Sequence, residues 1–357
     1  MSVLARVPSV AAPTALSVGP LIGYAGGPSF TLADGPLFGL PLAEIWFGLL
    51  FFLLGTFLFL DGFDFGVGAL FATREDSAER EQFLTAIGPF WDGNEVWLVV
   101  FGGTLFATFP PVYATLFSRH YLLMFAILGA LILRGMAPEL YEQRHDEAWR
   151  RWWGRSFVVG SLTAPFFLGV FVAHWLFGVT ALVSLQGLVV GLAVVTLTIV
   201  DGAAFLRIKT RGALRDDLRT DALLALGAYL VLLVLTLGLL YASPAIRPAL
   251  VSAPSIALVL LSLTFATVYA LATRADRYYM AVGAAAGLVF ALVAVVAVLL
   301  YPELDPVTGL TVEEAVVSTI PLNLMTIGMA ILLPLIFGYF AVLYSSFSGP
   351  AEEGEGY

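Results

Sequence analysis

The chain has 357 residues, of which 60% are hydrophobic and 12% are charged, and its mean hydropathy is +0.93. Soluble domains are about half apolar and about a quarter charged, so this composition excludes soluble enzymes and soluble nucleic-acid binders. The net charge of −9 also disfavours a nucleic-acid partner. A chain without cysteine forms no disulfide, thiolate metal site or iron–sulfur cluster. We therefore expect a multi-pass membrane protein.

Apolar runs of membrane-spanning length predict an all-α integral membrane protein with nine transmembrane helices, since about 20 apolar residues cross a bilayer core. In chain order the predicted spans are 43–71, 90–112, 119–140, 156–178, 182–206, 221–242, 252–273, 278–301 and 322–347. We expect two four-helix bundles, 43–178 and 182–301, with the ninth helix, 322–347, as an addition.

A weak internal repeat is the reason for expecting two bundles. The pairs Asp61-Gly62 and Asp201-Gly202 end the first and fifth spans, and a basic segment follows each. Repeated units of a membrane protein share their topology, so the two halves are predicted to be parallel repeats. Glycines four residues apart, Gly62 with Gly66 and Gly187 with Gly191, predict close helix packing.

Basic residues are divided unevenly between the two sides of the predicted membrane. Thirteen of the 17 Lys and Arg residues lie in the connections after the first, third, fifth and seventh spans. Three lie on the other side, and Arg134 lies within a span. Cytoplasmic connections carry the excess of Lys and Arg, so the N-terminus is predicted outside and the C-terminus in the cytoplasm.

The two terminal segments are not predicted to span the membrane. Residues 1–42 are rich in Ala, Pro, Gly and Ser and are predicted to be a flexible outer extension. A cleaved signal peptide and a misassigned start codon are the alternatives. Residues 348–357 contain Glu352, Glu353 and Glu355 and are predicted to form an acidic cytoplasmic tail.

Four acidic residues lie inside apolar runs, where an ionised carboxylate costs about 2.5 to 3.5 kcal/mol. Asp61 and Asp64 lie three residues apart near the inner end of the first span. Asp92 and Glu95 have the same spacing at the start of the second span, with Asn94 between them. All four are predicted at a similar depth, reachable from the cytoplasm. They form either a track for protons or cations, or a hydrated set of acids that pairs with basic residues of the connections.

Arg134 lies near the inner end of the third span, where a guanidinium needs an anion. The four acids are nearest by depth, so Arg134 is predicted to be their counter-charge, in a structural pair or a tuned proton site.

His120, His145 and His174 are not expected to face one another, although His174 with a methionine stays open as a haem-ligand pair. From these histidines we predict no haem ligation by this chain.

Several longer motifs accompany these acids. They are residues 61–68 (DGFDFGVG), 88–98 (GPFWDGNEVWL), Arg134, 149–153 (WRRWW) with 160–161 (GS), and 322–326 (LNLMT). In these motifs the chain resembles subunit II of the cytochrome bd-type quinol oxidases. The resemblance covers about residues 43–347 and is densest in the first four spans, with the Trp-Asp-Gly-Asn block as its most specific part.

The resemblance implies a heterodimer in the plasma membrane. In it, subunit I ligates two b-type haems and one d-type haem, oxidises quinol and reduces dioxygen to water. Subunit II has nine helices in two bundles plus one, ligates no cofactor and stabilises its partner, while the aspartate of the Trp-Asp block lines a proton route. A small accessory subunit and membrane lipids are further expected partners. The predicted proton path comprises Asp92, Glu95, Asp61 and Asp64, with Trp91, Asn94 and Arg134 in support.

Some features depart from that family. The 42-residue extension is one, and the short acidic outer loops are another; the loop acids are Glu303, Asp305, Glu313 and Glu314. A single lysine, Lys209, hints at salt adaptation or at a high-GC genome, so the quinone type stays open.

Two other functions use the same residues. A cation- or proton-coupled secondary transporter would place these acids at its coupling site, but Pro165 and Pro334 are single kinks rather than paired helix breaks. An assembly subunit without any role in proton transfer is the third possibility.

Overall fold

The computed structural model describes residues 32–33 and 35–350. Most of the predicted N-terminal extension and the acids Glu352, Glu353 and Glu355 lie outside the described residues. In the described part the chain forms thirteen α-helices and one two-stranded antiparallel sheet. The helices are α1 Leu42–Phe71, α2 Ser77–Ile87, α3 Trp91–Thr108, α4 Pro110–Arg119, α5 Tyr121–Glu142, α6 Glu147–Phe177, α7 Leu185–Lys209, α8 Gly212–Ala242, α9 Arg247–Leu250, α10 Ala253–Arg274, α11 Tyr278–Leu300, α12 Val312–Ala315 and α13 Thr319–Ser346. The strands are β1 Glu303–Asp305 and β2 Leu310–Thr311.

Eight of the described helices are long and apolar enough to cross a membrane: α1, α5, α6, α7, α8, α10, α11 and α13. The predicted helical class is therefore confirmed. The predicted second span, 90–112, is interrupted, because α3 ends at Thr108 and Phe109 has a non-helical backbone (φ −126°, ψ 59°). Pro110 follows, and a residue before proline is disfavoured in the α region. Helix α3 has 18 residues but is not among the eight, so the count of nine stays a prediction.

Helix starts depend on capping side chains as well as on apolar runs. The Asp146 side chain accepts a hydrogen bond from the Trp149 N–H, so α6 begins at Glu147, nine residues before the predicted start of the span. In the same way Asp76 accepts from the Ala78 N–H and starts the short helix α2. These caps extend helical structure into the charged segments between spans.

Helices α1 and α7 form the centre of the molecule and cross at glycines. A methyl group on Gly66 would lie 2.0 Å from the Thr198 carbonyl oxygen, and one on Gly202 would lie 2.6 Å from the Gly66 carbonyl carbon. Helix α7 also approaches α6 closely, because a methyl group on Gly191 would lie 2.7 Å from the Phe166 ring. The predicted packing role of these glycines is confirmed, and it brings the two halves of the chain into direct contact.

Ion pairs join segments that the charge distribution assigns to one side of the membrane. The pairs at this basic end of the bundle are Arg74 with Asp221, Arg150 with Glu81, and Arg207 with Asp276. At the opposite end Arg119 pairs with Asp305, which lies in the small sheet between α11 and α12.

The side chain of Asn323 ties the start of α13 to the segment before α1. It accepts a hydrogen bond from the Leu37 N–H at 3.0 Å and donates to the carbonyl oxygens of Leu32 and Gly35, both at 2.9 Å. Nearby, Trp46 Nε1 of α1 donates to Thr326 Oγ1 of α13 at 2.8 Å. The described part of the extension, up to Pro41, therefore lies against α13.

Candidate functional site

Arg134 occupies the centre of a buried polar site where α1, α3 and α5 meet. A methyl group on Gly160 would lie 2.6 Å from the Arg134 backbone nitrogen, so this glycine lets α6 press against α5 at that residue. The guanidinium carbon lies 5.1 Å from the ring centre of Phe65 and 5.7 Å from that of Trp91. The two aromatic rings and the close helix contact fix the position of the guanidinium.

Three carboxyl groups surround this guanidinium. Nη2 pairs with Asp61 Oδ1 and lies 3.4 Å from Asp64 Oδ2, and Nη1 lies 3.2 Å from Glu95 Oε2. Asp61 and Asp64 are completely buried, whereas the Glu95 side chain is 30% exposed. We refer to Arg134, Asp61, Asp64 and Glu95 as the Arg134 cluster.

The Arg134 cluster contains more acid than its single cation can balance. Asp61 Oδ2 and Asp64 Oδ1 have no hydrogen-bond donor among the described residues. Buried carboxylates are normally paired and fully hydrogen-bonded, because an uncompensated charge away from water is very unfavourable. Asp61 Oδ2 and Asp64 Oδ1 are therefore positions that can bind a proton. Glu95, which is part-exposed, lies between the buried acids and the surface.

A hydrogen-bond chain extends the Arg134 cluster towards α13. Asn94 Nδ2 donates to Asp64 Oδ2 at 2.9 Å, and the Tyr344 hydroxyl donates to Asn94 Oδ1 at 2.9 Å. Sequence reasoning predicted Asn94 as a supporting residue but missed Tyr344. Tyr344 lies 18 residues beyond the matched LNLMT segment, and an aromatic residue at a helix end carries no signal of its own.

Asp92 lies apart from the residues it was predicted to accompany. Its side chain is exposed and accepts a hydrogen bond only from the adjacent Gly93 N–H, at 2.7 Å, among the contacts of the described chain. Residues three apart on an α-helix differ by about 60° in direction. Because of this difference, the Glu95 side chain points towards Arg134, whereas the Asp92 side chain lies on the exposed face of α3. The structure thus brings together Asp61, Asp64, Glu95, Trp91, Asn94 and Arg134, and leaves Asp92 outside.

A further buried acid, Asp201, lies on α7 beside α1. It is completely buried, and a methyl group on Gly62 would lie 3.3 Å from its Oδ2. Sequence reasoning used Asp201 only as part of the Asp-Gly repeat. That repeat was the available signal, since the Asp-Gly pair of α7 meets the Asp-Gly pair of α1.

The expectation that no two histidines face each other is wrong. The ring centroids of His120 and His174 lie 5.6 Å apart, and the ring planes are tilted by 42°. They meet because the short helix α4 places His120 beside the C-terminal end of α6, where His174 lies. His174 Nε2 is hydrogen-bonded to Ser184 Oγ at 2.9 Å, and Phe171 packs edge-on against His120. Rings in direct contact leave no room for a porphyrin between them. Among the described residues, no group of three or more His, Asp or Glu side chains is arranged to hold a metal ion.

The Arg119–Asp305 pair is another ionic site with a buried carboxylate. Arg119 Nη1 and Nη2 each donate to one oxygen of Asp305 at 2.9 Å. Thr308 Oγ1 donates to Oδ2 at 2.8 Å, Thr115 Oγ1 donates at 3.2 Å, and the Val307 N–H donates to Oδ1 at 3.2 Å. Burial alone would raise the pKa of Asp305, but these hydrogen bonds and the charge of Arg119 outweigh it and lower the pKa.

Fold and site together define an α-helical multi-pass membrane protein with an acid-rich polar cluster among its spans. Comparison with known proteins makes this class more specific. The chain belongs to the family "Cytochrome bd terminal oxidase subunit II", whose profile matches residues 42–347.

Relatives with curated names agree with this assignment. The chain is 35% identical over 215 residues to "Cytochrome bd-I ubiquinol oxidase subunit 2" of Escherichia coli (strain K12), covering 55% of this chain and 56% of that protein. It therefore spans about half the length of that relative. It is 30% identical over 319 residues to "Cytochrome bd ubiquinol oxidase subunit 2" of Bacillus subtilis (strain 168), covering 83% of this chain and 93% of that protein.

A solved structure shares the fold. A chain of the bd oxidase from Geobacillus thermodenitrificans matches with a TM-score of 0.72 at 18% identity, covering 85% of this chain and 98% of that chain. The family and the apolar helices together identify a multi-pass protein of the bacterial plasma membrane. A cytochrome terminal oxidase family also implies haem groups in the complex and a partner subunit.

Proposed function

We propose that this chain is subunit II of a quinol:oxygen oxidoreductase, where it supports the haem-bearing subunit I and gives protons access from the cytoplasm. The observation that carries this proposal is the Arg134 cluster, which places three carboxyl groups and one guanidinium among the spans of a member of this family. Reducing one dioxygen to two waters consumes four protons and four electrons, and two quinols supply the electrons. Carboxyl groups at membrane depth are the usual relays for such protons.

In the proposed route, protons enter at Asp92 and Glu95 and are held at Asp61 and Asp64. Glu95 is part-exposed and contacts Arg134, so it can take a proton from water and deliver it into the buried site. Arg134 stays charged, and its positive charge allows either Asp61 or Asp64 to ionise while the other of these two acids is protonated. Asn94 and Trp91 hold Asp64 and Arg134 in place.

The proposed architecture is nine transmembrane helices, with the N-terminus outside and the C-terminus in the cytoplasm. We infer that α3 also crosses the membrane and brings the number of spans from eight to nine. It starts beside Arg134 at the basic end of the bundle. The carbonyl of its last residue, Thr108, accepts a hydrogen bond from the Val317 N–H at the end that contains Arg119 and Asp305. The two four-helix bundles, 43–178 and 182–301, would meet at the α1–α7 crossing.

We propose that the outer face of α3 is covered by the partner subunit. Asp92 is exposed there in the same helix as the exposed side chains of Val99 and Phe106. A carboxylate that faces lipid is costly, whereas one that faces a second protein chain can be hydrogen-bonded. A methyl group on neighbouring Gly102 or Gly103 would have no other atom within 4 Å, so a partner helix can approach closely.

Haem b and haem d are proposed to lie in subunit I, and quinol is the substrate of the complex rather than of this chain. The packing of His120 against His174 and Phe171 supports this placement. A small accessory subunit is a further proposed partner.

A proton- or cation-coupled transporter is the alternative function. It would need a route for a polar solute near the acids. Two cavities in the described part of the chain, of about 350 and 550 Å³, are lined mainly by aliphatic and aromatic side chains. This lining favours the oxidase.

Purification of the tagged chain from its native membrane, followed by an optical spectrum, tests the assignment. The oxidase proposal predicts b- and d-type haem absorption that copurifies with a second chain. A colourless homo-oligomer would overturn it and favour the transporter.

The proposed role of Asp92 is tested in that complex by Asp92→Asn. We expect slower oxygen consumption with an unchanged haem spectrum, because the amide cannot pass a proton. The matched control is Glu313→Gln, an exposed acid at the opposite end of the bundle, which should leave turnover unchanged. Equal turnover in both variants would remove Asp92 from the route.

A further inference from the structure

Asp201 is a buried acid that the proposed route does not use. Its side chain is completely buried on α7, and neither carboxyl oxygen has a hydrogen-bond donor within the described part of the chain. The charged group that acts on it is Asp64, which is another acid rather than a cation. Among the described residues Asp201 therefore has neither a hydrogen-bond donor nor a paired cation, the two features that normally stabilise a buried carboxylate.

Three ionisable groups on other helices interact electrostatically with Asp201. They are Asp64 of α1, Tyr269 of α10 and Tyr344 of α13. The hydroxyl of Tyr269 donates to the Val200 carbonyl at 2.7 Å, and that of Tyr344 donates to Asn94. Both tyrosine protons are thus directed away from Asp201.

Both basic residues of the same helix, Arg207 and Lys209, are also engaged elsewhere, and Lys209 Nζ donates to the Phe347 carbonyl oxygen. Arg207 donates to the Thr273 carbonyl at 2.9 Å and to Asp276 Oδ1 at 2.6 Å. A proton is accordingly the remaining way to neutralise Asp201. The neutral acid carries its own O–H donor, and the space left by Gly62 accommodates it beside α1.

We propose that Asp201 holds a proton and exchanges it with Asp64, so that the α1–α7 crossing stores a proton beside the Arg134 cluster. In the exchange the O–H bond of Asp201 breaks, its electron pair stays on the Asp201 carboxylate, and the proton forms an O–H bond with ionised Asp64. The reverse step refills the store from Asp64. The exchange rests on the proposed oxidase function, whereas the protonation of Asp201 does not.

The first test is infrared spectroscopy of the full chain, purified with whatever partner accompanies it. A protonated carboxyl group has a C=O stretching band that shifts in D₂O. We expect Asp201→Asn to lose one such band, Asp201→Glu to shift it, and the neighbouring, non-titratable control Thr198→Val to retain it. Identical spectra for wild type and Asp201→Asn would show that Asp201 is ionised and would overturn the proposal.

The second test concerns the exchange, in the complex that contains haem. Proton uptake after an oxygen pulse, followed with a pH-indicator dye, should lose its fast phase in Asp201→Asn, and Asp201→Glu should restore it. A lost infrared band with an unchanged fast phase would overturn the exchange with Asp64. If the chain purifies without haem, the oxidase proposal fails, but the infrared band still decides whether Asp201 carries a proton.

Discussion

Two ionic sites in the described part of the chain, the Arg119–Asp305 pair and the Arg134 cluster, differ in their balance of charge. At one end, Arg119 and Asp305 pair one to one, and Asp305 receives hydrogen bonds from three further groups of the polypeptide. In the Arg134 cluster, one guanidinium faces three acids, and Asp61 and Asp64 each retain an oxygen without a donor among the described residues. Both carboxylate oxygens of Asp305 accept hydrogen bonds, so its site is saturated. The Arg134 cluster still has carboxyl oxygens that can accept one.

We propose that this difference separates a structural ion pair from a site that exchanges protons. A saturated pair gains nothing from an added proton, because its carboxylate oxygens already accept hydrogen bonds. A site with surplus carboxyls and unfilled acceptors must carry protons to exist in the interior of the protein. Variants at the two sites should therefore differ in their effects on stability and on turnover.

Arg134→Ala should have the largest effect on stability. It leaves Asp61 and Asp64 buried without a counter-charge, and breaking a buried pair in this way costs about 3 to 5 kcal/mol. Thermal unfolding of the purified complex measures it, with Arg134→Lys as a control that keeps the charge and should lose less. A destabilisation below about 1 kcal/mol would mean that both acids are already neutral.

Gly66→Ala should be the next most damaging change, because it pushes α1 away from α7 and opens the Arg134 cluster to water. A methyl group 2.0 Å from the Thr198 carbonyl has to move backbone, and such overpacking costs about 1 to 3 kcal/mol. Gly227→Ala on α8 is the matched control, since nothing lies within 4 Å of its methyl position. Similar unfolding temperatures for the two variants would contradict a tight crossing.

Arg119→Ala should cost about 1 to 3 kcal/mol, less than Arg134→Ala, because Asp305 keeps its hydrogen bonds from Thr308, Thr115 and Val307. We expect unchanged oxygen turnover in the surviving complex. A loss of turnover per haem would give the Arg119–Asp305 pair a role in the reaction and remove the contrast between the sites.

The smallest effect is the pH dependence of the Arg119–Asp305 pair. The pKa of Asp305 is lowered below its ordinary value of 3.8, so the pair stabilises the fold fully above that value. The contribution disappears as the pH falls through the lower pKa of the folded state. Below about pH 4 the unfolding temperature of wild type should therefore approach that of Asp305→Asn. A constant difference down to the acid limit would show that the carboxylate is not stabilised by this pair.

The spans and the main acids could be predicted from sequence because both depend on local signals. An apolar run of about 20 residues predicts a helix whatever it packs against. The short helices α2 and α4 lack that signal, since they lie in connections and begin at a capping aspartate and a proline. The sequence also predicts a conflict at Asp61, Asp64 and Arg134, because charges are costly among apolar residues.

The direction of each side chain could not be predicted in the same way. Asp61 and Asp64 both reach Arg134, since α1 is surrounded by other helices, whereas the same spacing on α3 leaves Asp92 exposed. Whether a 60° difference matters depends on which neighbours surround a helix. The isolation of Asp201 and the contact between His120 and His174 likewise depend on long-range packing.

The most direct test of the central claim is the oxygen turnover of two matched variants of the complex, Asp64→Asn and Asp305→Asn. Each removes one buried carboxylate that is paired with an arginine. We expect Asp64→Asn to lower turnover per haem by at least about tenfold with the haem spectrum intact, because a proton relay is lost. We expect unchanged turnover per haem for Asp305→Asn. Equal turnover in the two variants would contradict the claim that the Arg134 cluster carries protons.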